Sequence, residues 1–418
     1  MRRLAALACA IVPLLASCGQ PAQSGAGSIT VGALFPLTGV QAPLARQEYA
    51  GVAIARDLVN QDGGVLGQPI RLLTRDLTQR EDASARAGEL KAAGAIAVLG
   101  AYSSALSLPA ADAARSQGLL YWEAGAVADQ LTGAGNPLVF RVGATGHNLG
   151  AMSARFAAEV LAPRLQRAPQ SLRMVIVHNT DLYPQDVADA AQAQAAAEGM
   201  PVAAVVPYDV RHPDWPAVLV RVRAARPDIL VLASYIPDGV AFRQAMLAAG
   251  VHVQAMIGST MAQCVPEFGA LMGADAIGVF ASDRPTSGFN PGALNVVGRA
   301  VYDRFAAAYR LEQGSAPTEE ALAGFAAAWT LFHYVMPQAA RAHDLTPEGM
   351  ARVARALDLP DGTLVNGAGV RFSSSPATMG QNLRAASVIW QWQAVRHSVT
   401  VYPPVFATGT PGFIPLPR

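Results

Sequence analysis

The pattern that decides the fold is clearest in residues 174–208, which read MVIVHNTDLYPQDVADAAQAQAAAEGMPVAAVVPY. An apolar run at Met174–His178 leads to an alanine-rich stretch at Gln185–Glu198, and a second apolar run follows at Val202–Tyr208. Short apolar runs separated by a helix-length segment are typical of strand–helix–strand units with parallel strands. Gly199 stands just past the alanine-rich stretch, where glycine commonly ends a helix. This stretch therefore predicts a β-α-β unit.

The same alternation extends from Ile29 through much of the chain. The other predicted strands are Ile29–Phe35, Ile70–Asp76, Ile96–Gly100, Leu119–Trp122, Ile229–Ser234 and Ile277–Ala281. The other predicted helices are Glu48–Gln61, Ala83–Ala93, Ser107–Ser116, Trp215–Ala225 and Gly239–Ala249. Such alternation favours an α/β fold whose parallel sheets are covered by helices on both faces.

The chain is expected to form two lobes. A second series of strands and helices begins near Leu172, after a connection at Ala162–Gln170 that contains two prolines. We therefore expect two similar α/β lobes, with a single doubly wound domain as the alternative. Ligands of open α/β sheets bind beyond the carboxyl ends of the strands. Two lobes that face each other would place a binding cleft at their interface.

Composition excludes several classes of protein. The chain has 418 residues, of which 52% are hydrophobic and 15% charged, and this excludes a disordered, highly charged protein. Mean hydropathy is +0.25, so a membrane protein has to be considered. Only Leu4–Ala16 resembles a membrane segment, and this run is too short to span a bilayer. A formal net charge of +1 supplies no general attraction for nucleic acid, which we exclude as a partner.

The N-terminus reads as a targeting segment. A positive start, Met1–Arg3, precedes the apolar run Leu4–Ala16, and small residues lead to Cys18. This order resembles a bacterial lipoprotein signal, which predicts a signal peptide at 1–17, a lipidated Cys18 and a flexible tether at 18–28. The protein is then periplasmic or otherwise extracytoplasmic and is anchored to a membrane through its lipid. The alternative is an ordinary secretory signal in which Cys18 is incidental.

Motifs for catalysis are absent from the sequence. It contains no Walker A loop, no G-x-S-x-G elbow and no H-E-x-x-H, and its seven histidines are scattered. The carboxylate pair Glu319–Glu320 stands at a predicted helix start, where it favours the positive end of the helix dipole. Cys264 has no base or cation beside it in the sequence and reads as a small buried residue. We therefore predict a protein that is not an enzyme and that has no cofactor and no metal site.

Segments in a fixed order along the chain carry a family resemblance. They are Ile29–Gly39 (ITVGALFPLTG), Asn60–Ile70 (NQDGGVLGQPI), Gly100–Ser104 (GAYSS), Ala225–Ile229 (ARPDI) and Val401–Thr408 (VYPPVFAT). Together they resemble the type I periplasmic solute-binding proteins of branched-chain amino acid ABC importers, the Leu/Ile/Val-binding-protein-like lipoproteins. The resemblance covers essentially the whole chain after the signal peptide.

The resemblance implies a fold and a function. Two Rossmann-like lobes joined by a three-crossover hinge would close on a small solute, with residues 29–143 and 283–358 forming the N-terminal lobe and 144–282 and 359–418 the C-terminal lobe. The protein would be a monomer that delivers an amino acid, or an amino-acid-like carboxylate or amide, to the permease subunits of an ABC importer. The alternative is a regulatory lipoprotein of the same fold that acts on cell-wall synthesis or sensing through protein partners.

The resemblance also implies ligand-binding residues. Ser103 and Ser104 match paired hydroxyls that bind a carboxylate just before a helix, although one of them can simply cap that helix. Tyr183 and Tyr235 match cleft tyrosines of the C-terminal lobe. Packing is the alternative role for each tyrosine.

At two places this chain departs from the family pattern. Ala126–Val127 stands where the family usually has Ala-Thr or Ala-Ser, and Thr260 aligns with the acid that binds the ligand's ammonium group. Glu123 is then a candidate for a replacement charge, and Arg46 a candidate for binding a second carboxylate. A solvated loop charge is the alternative role for both residues.

Overall fold

A computed structural model describes residues 27–286 and 288–417, and two α/β sheets dominate it. The strands are β1 (Ile29–Phe35), β2 (Ile70–Asp76), β3 (Ala97–Gly100), β4 (Leu120–Glu123), β5 (Val139–Arg141), β6 (Met174–Asn179), β7 (Val202–Tyr208), β8 (Ile229–Ala233), β9 (Ala255–Ser259), β10 (Phe280–Asp283), β11 (Asp358–Leu359), β12 (Val370–Arg371), β13 (Val388–Ala394) and β14 (His397–Tyr402). The helices are α1 (Ala42–Gln61), α2 (Ala83–Ala92), α3 (Ser104–Ser116), α4 (Gln130–Gly133), α5 (Gly146–Phe156), α6 (Ala162–Arg164), α7 (Leu182–Ala197), α8 (Trp215–Ala225), α9 (Ile236–Ala248), α10 (Pro266–Met272), α11 (Val296–Gln313), α12 (Glu319–Trp329), α13 (Met336–Arg341) and α14 (Pro347–Ala356).

The two sheets have a similar topology. The first has the strand order β2-β1-β3-β4-β5, and all its neighbouring strands are parallel. The second has the order β14-β13-β10-β9-β8-β6-β7, in which β13 runs antiparallel to β10 and forms a hairpin with β14. The parallel strands of each sheet therefore end at one edge, where loops gather residues from several strands.

Helix α1 packs very closely against α12 of the first lobe. A side chain at Gly51 would overlap the carbonyl group of Ala321, and one at Gly324 would overlap the carbonyl group of Glu48. Only glycine allows two helix backbones to approach this closely. The packing fixes Glu48 of α1 beside the first turn of α12.

Each lobe has its own apolar core, and the first extends further along the chain than predicted. Val370 and Phe372 are buried with Trp122 and Phe140 of the first sheet, and the amide of Arg141 donates to the carbonyl of Gly380. The structure thus places residues 364–382 on the first lobe, because their side chains complete its core. This corrects the assignment of 359–418 to the C-terminal lobe; the other lobe boundaries stay predictions.

The N-terminal segment and Cys264 were also singled out from the sequence. The predicted signal peptide 1–17, Cys18 and most of the tether 18–28 lie outside the described residues. Among the residues that the structure describes, no helix has both the length and the apolar character needed to cross a membrane. Cys264 is buried, as predicted, and burial raises the pKa of its thiol.

Candidate functional site

A small cavity lies between the two sheets, at the carboxyl ends of their strands. Its walls come from the loops after β3, β4, β9 and β10 and from the first turn of α12. The lining residues are Tyr102, Ser104, Gly125, Ala126, Val127, Thr260, Met261, Val265, Arg284 and Glu320. The structure therefore brings together four residues singled out from the sequence, Ser104, Ala126, Val127 and Thr260, with charged residues that sequence reasoning missed.

The paired serines occupy different environments. The Ser104 hydroxyl accepts a hydrogen bond from the amide of Ala128 at 3.1 Å, which joins α3 to the loop after β4. Ser103 stands at the N-terminal cap of α3, but its hydroxyl makes no capping hydrogen bond. That hydroxyl oxygen is buried and has no hydrogen-bond partner among the described residues. Ser103 is thus able to bind a further polar group.

The two predicted tyrosines do not line this cavity. The Tyr183 hydroxyl donates to the carbonyl of Thr260 at 2.5 Å and also contacts the carbonyl of Ser234, so it ties together the loops after β8 and β9. The ring of Tyr235 packs edge-to-face against Tyr183 at 5.3 Å. Both tyrosines support the loop that carries Thr260. Their contact with a ligand stays a prediction.

Glu123 organises a loop and does not face the cavity. Its Oε1 accepts hydrogen bonds from the amides of Gly125 and Ala126, both at 2.8 Å, and its Oε2 accepts one from the Tyr121 hydroxyl at 3.0 Å. The residue is fully buried, and burial raises the pKa of its carboxyl group while the backbone donors lower it. The prediction that Glu123 supplies the replacement charge is therefore not supported, because loop hydrogen bonds already occupy its oxygens.

Arg46 also lies away from the cavity. It is exposed on α1, and its Nε donates to the carbonyl of Leu37 at 2.7 Å, which secures the loop between β1 and α1. Val127 does line the cavity and packs with Tyr183 and Ala233. At this position, therefore, the hydroxyl expected from the family pattern is replaced by an apolar contact.

The charged group that the sequence did not reveal is centred on Arg284, just after β10. Its Nη1 donates to the carbonyl of Gly125 at 2.8 Å, and its guanidinium forms a buried ion pair with Glu319. The backbone amide of Arg284 donates to Asp283 at 2.8 Å. Arg284 therefore links the crossover after β10 to the loop after β4 and to α12.

Glu320 is the acid that reaches the cavity wall. Thr318 caps α12 by accepting the amide of Ala321 at 3.2 Å, so neither Glu319 nor Glu320 is needed as a cap. Burial raises the pKa of Glu320 to about 7. From the sequence, both glutamates are expected only to favour the positive end of the helix dipole. The signal for a role at the site is a charged pair at the start of a helix whose remaining residues are almost all apolar.

Glu48 lies directly behind the cavity wall. It is fully buried on α1, and a side chain at Gly125 would overlap its carboxylate. Neither carboxylate oxygen has a hydrogen-bond partner among the described residues. Burial raises the pKa of Glu48 well above its ordinary value, and the nearby charge of Arg284 lowers it.

A second cavity adjoins the first and shares Val265 and Glu320 with it. Its apolar walls include Leu44 of α1 and the indole rings of Trp390 and Trp392 on β13. Glu320 therefore stands between a small cavity and a larger space with aromatic walls.

Hydrogen bonds join the lobes at the side of the site. The Asp186 carboxylate on α7 accepts the amide of Asp129 at 2.8 Å and the side-chain amide of Gln130 at 3.1 Å. We call these two contacts the interlobe bridge. Burial raises the pKa of Asp186 to about 6.

Comparison with known proteins places this geometry among solute-binding proteins. The profile of the family described as "Periplasmic binding protein" matches residues 28–390. A Leu/Ile/Val-binding protein homolog 8 from Brucella suis is 30% identical over 379 residues, which cover 90% of each chain. A substrate-binding protein of a branched-chain amino acid transporter from Streptococcus pneumoniae, solved with isoleucine, has a TM-score of 0.69 at 18% identity and covers 90% of this chain and 100% of its own. An ABC transporter solute-binding protein from R. palustris, solved with benzoate, has a TM-score of 0.68 at 18% identity, with 92% and 98% covered. These structures share the fold, and the predicted α/β fold class is confirmed.

Proposed function

We propose that this chain, which belongs to the periplasmic binding protein family and has the type I fold, is the substrate-binding component of an ABC importer. It captures a small organic solute between its lobes and delivers it to the permease subunits. The observation that carries the proposal is the cavity at the carboxyl ends of both sheets, which is lined by polar groups from both. Its chemistry is binding and release, with no covalent step.

Closure of the lobes accounts for capture. Ser104 and Gly125 belong to loops of the first sheet, whereas Thr260 and Met261 follow β9 of the second. A ligand held by both sets favours the closed arrangement, because the open form offers only half of the contacts. The polar groups that become buried must find partners inside the cavity, and this requirement selects the ligand.

The solute is an amino acid or an amino-acid-like carboxylate or amide. Isoleucine and benzoate, the ligands of two structural neighbours, both carry a carboxylate. Here Ser104 lines the cavity at the start of α3, and the buried hydroxyl of Ser103 beside it has no hydrogen-bond partner among the described residues. This end of the helix is therefore suited to bind a carboxylate. The second cavity, whose walls include two indole rings, provides room for an apolar side chain of the ligand.

The protein acts outside the cytoplasm, held by a lipid on Cys18, and works as a monomer that meets its permease at the membrane. The sequence order of charge, apolar run and small residues before Cys18 supports the lipid anchor. The replacement Cys18→Ser is expected to move the protein from the membrane fraction to the soluble extracytoplasmic fraction. Unchanged membrane association would contradict lipidation.

The proposed function is tested by equilibrium binding to the purified protein. Calorimetry and thermal unfolding with a panel of neutral amino acids, carboxylates and amides should identify a ligand that raises the unfolding temperature without being consumed. A ligand at a thousandfold excess over its Kd stabilises the fold by about 4 kcal/mol. Turnover of any panel member, or no binding to any of them, would overturn the importer function.

A further inference from the structure

We propose that the cavity binds the amino group of its solute through Glu320, so that the solute is a zwitterion with an ammonium group and a carboxylate. This inference rests on the proposed function and narrows it. The acid that pairs with the ammonium then lies on α12 of the first lobe. It does not lie after β9 in the second lobe, where this chain has Thr260.

Around the cavity, the described residues supply more acidic groups than cations to pair with them. Four acids surround Arg284: Glu48, Asp283 and Glu320, which are buried, and Glu319, whose side chain is 10% exposed. Arg284 forms an ion pair with Glu319 and donates to the carbonyl of Gly125, so its single positive charge is shared among several carboxylates. Buried carboxylates that remain ionised without a cation are unfavourable. An ammonium group in the cavity supplies the second positive charge.

Glu48 adds a second acid directly behind the cavity wall. Its carboxylate is fully buried, points at Gly125 of the cavity wall and accepts no hydrogen bond from the described residues. A side chain at Gly125 would close the gap between this carboxylate and the cavity. An ammonium group beside Glu320 is attracted by Glu48 as well. The site is therefore built to favour positive charge from two elements, α1 and α12.

Glu123 and Glu319, the other candidate acids, are already paired with groups of the protein. The oxygens of Glu123 accept backbone and tyrosine hydrogen bonds, and Glu319 is committed to Arg284. Of the acids described near the cavity, Glu320 is the one that lines it. Its position between the two cavities lets the carboxylate of a ligand approach Ser104 at the start of α3 while an apolar side chain extends toward Trp390.

Titration of Glu320 supplies a separate readout. The charged and titratable groups that face it are Glu48 from α1, Tyr102 from the loop after β3, Glu267 from α10, Asp283 and Arg284 after β10, and Glu319 on its own helix. Burial raises the pKa of Glu320 to about 7, so part of the population is protonated at neutral pH. An ammonium ligand lowers this pKa and releases protons when it binds.

The test is calorimetry on the purified protein with matched probes. Each neutral amino acid is compared with its deaminated carboxylate, as in leucine against 4-methylpentanoate. The expected result is that an amino acid binds at least about tenfold more tightly than its deaminated partner. The change Glu320→Gln should remove most of that difference and leave the affinity of the deaminated carboxylate within about twofold. Glu81→Gln, which removes an exposed acid that lines neither cavity, should preserve the preference.

Each other outcome contradicts a defined claim. Tight binding of the deaminated carboxylates with no preference for amino acids would overturn the role of Glu320 and leave the importer function intact. An equal loss of affinity for both probes in Glu320→Gln would also overturn that role. No binding of any probe to the wild-type protein would overturn the importer function itself. If Glu320→Gln does not fold, proton release measured on the wild-type protein tests the role of Glu320. Binding of the amino acid near pH 6.5, measured in buffers of different ionisation enthalpy, must release more protons than binding of the deaminated carboxylate.

Discussion

At the scale of single residues, the role of a buried acid depends on which hydrogen-bond donors already pair with its oxygens. Glu123 and Glu320 are both buried acids near the cavity. Backbone amides of the following loop saturate Glu123, whereas Thr318 caps α12 and leaves Glu320 free to face the cavity. Neither outcome can be derived from the residue type. A buried carboxylate becomes available to a ligand only when the local backbone does not need it.

The change Glu48→Gln tests how much the buried carboxyl group of Glu48 lowers the unfolding temperature as pH rises. Burial raises the pKa of Glu48, so its contribution to stability is fully present below the unfolded pKa and is lost as pH rises through the folded value. We therefore expect the ligand-free wild-type protein to lose unfolding temperature as pH rises above the ordinary titration range of a carboxyl group, and the variant to lose less. Thermal unfolding followed by circular dichroism measures both slopes.

The matched control for Glu48→Gln is Glu81→Gln, which removes an exposed acid that lines neither cavity. It should keep the pH slope of the wild-type protein. A wild-type slope in Glu48→Gln would contradict the assignment of this cost to Glu48.

At the scale of elements, several helices begin earlier than predicted. Helices α7 and α9 start at Leu182 and Ile236, three residues before the predicted starts, and α1 starts at Ala42. A proline lies within the first turn of each. Proline has no N–H to donate, but the first turn of a helix leaves its amides unpaired, so proline is tolerated there.

Two further differences involve strands. The predicted strand Ile277–Ala281 lies at Phe280–Asp283, because Gly278 has a positive φ of 92° and its amide donates to Trp392. The hairpin of β13 and β14 has no counterpart in the prediction. Its pairing with β10 is a contact between segments far apart in the chain.

The contact of α1 with α12 is tested by Gly324→Ala. The added methyl group would overlap the backbone of Glu48, so we expect a loss of about 1–3 kcal/mol in the free energy of unfolding. Chemical denaturation measures this loss. Ligand affinity should fall as well, because the same contact positions Glu48 and Glu320.

The control for this prediction is Gly88→Ala in α2. A side chain at Gly88 meets no other atom within 4 Å, and alanine is the better helix former, so the variant should be unchanged or more stable by up to about 1 kcal/mol. An equal loss in both variants would contradict the role of close helix packing.

At the scale of the whole molecule, binding depends on the equilibrium between open and closed lobes. The interlobe bridge of Asp186 with Asp129 and Gln130 joins α7 to the loop before α4. Asp186→Ala removes both acceptors and should weaken ligand binding several-fold, because less of the protein occupies the closed arrangement. Calorimetry measures the affinity, and small-angle scattering should show a larger radius of gyration.

Asp189→Ala is the control, since Asp189 is exposed on the same helix. It should bind ligand like the wild-type protein. An unchanged affinity and radius in Asp186→Ala would show that the bridge does not hold the lobes together.

Local pattern alone determined much of this protein. The alternation of apolar runs with alanine-rich stretches predicted the α/β fold, and β1, β2, β7 and α8 have the predicted bounds. These features follow from short-range periodicity and helix-end signals, which act between residues close in sequence. The five resembling segments likewise predicted the family that the comparisons confirm.

Only the tertiary structure decided how the site is composed. Glu48, Arg284 and Glu320 are far apart in the chain, and they meet because α1 packs on α12 and because the crossover after β10 reaches the loop at Gly125. Residues 364–382 join the first lobe for a similar reason, since their apolar side chains complete its core. Long-range packing decides which charged side chains are buried together. No local sequence pattern encodes the contact between residues so far apart in the chain.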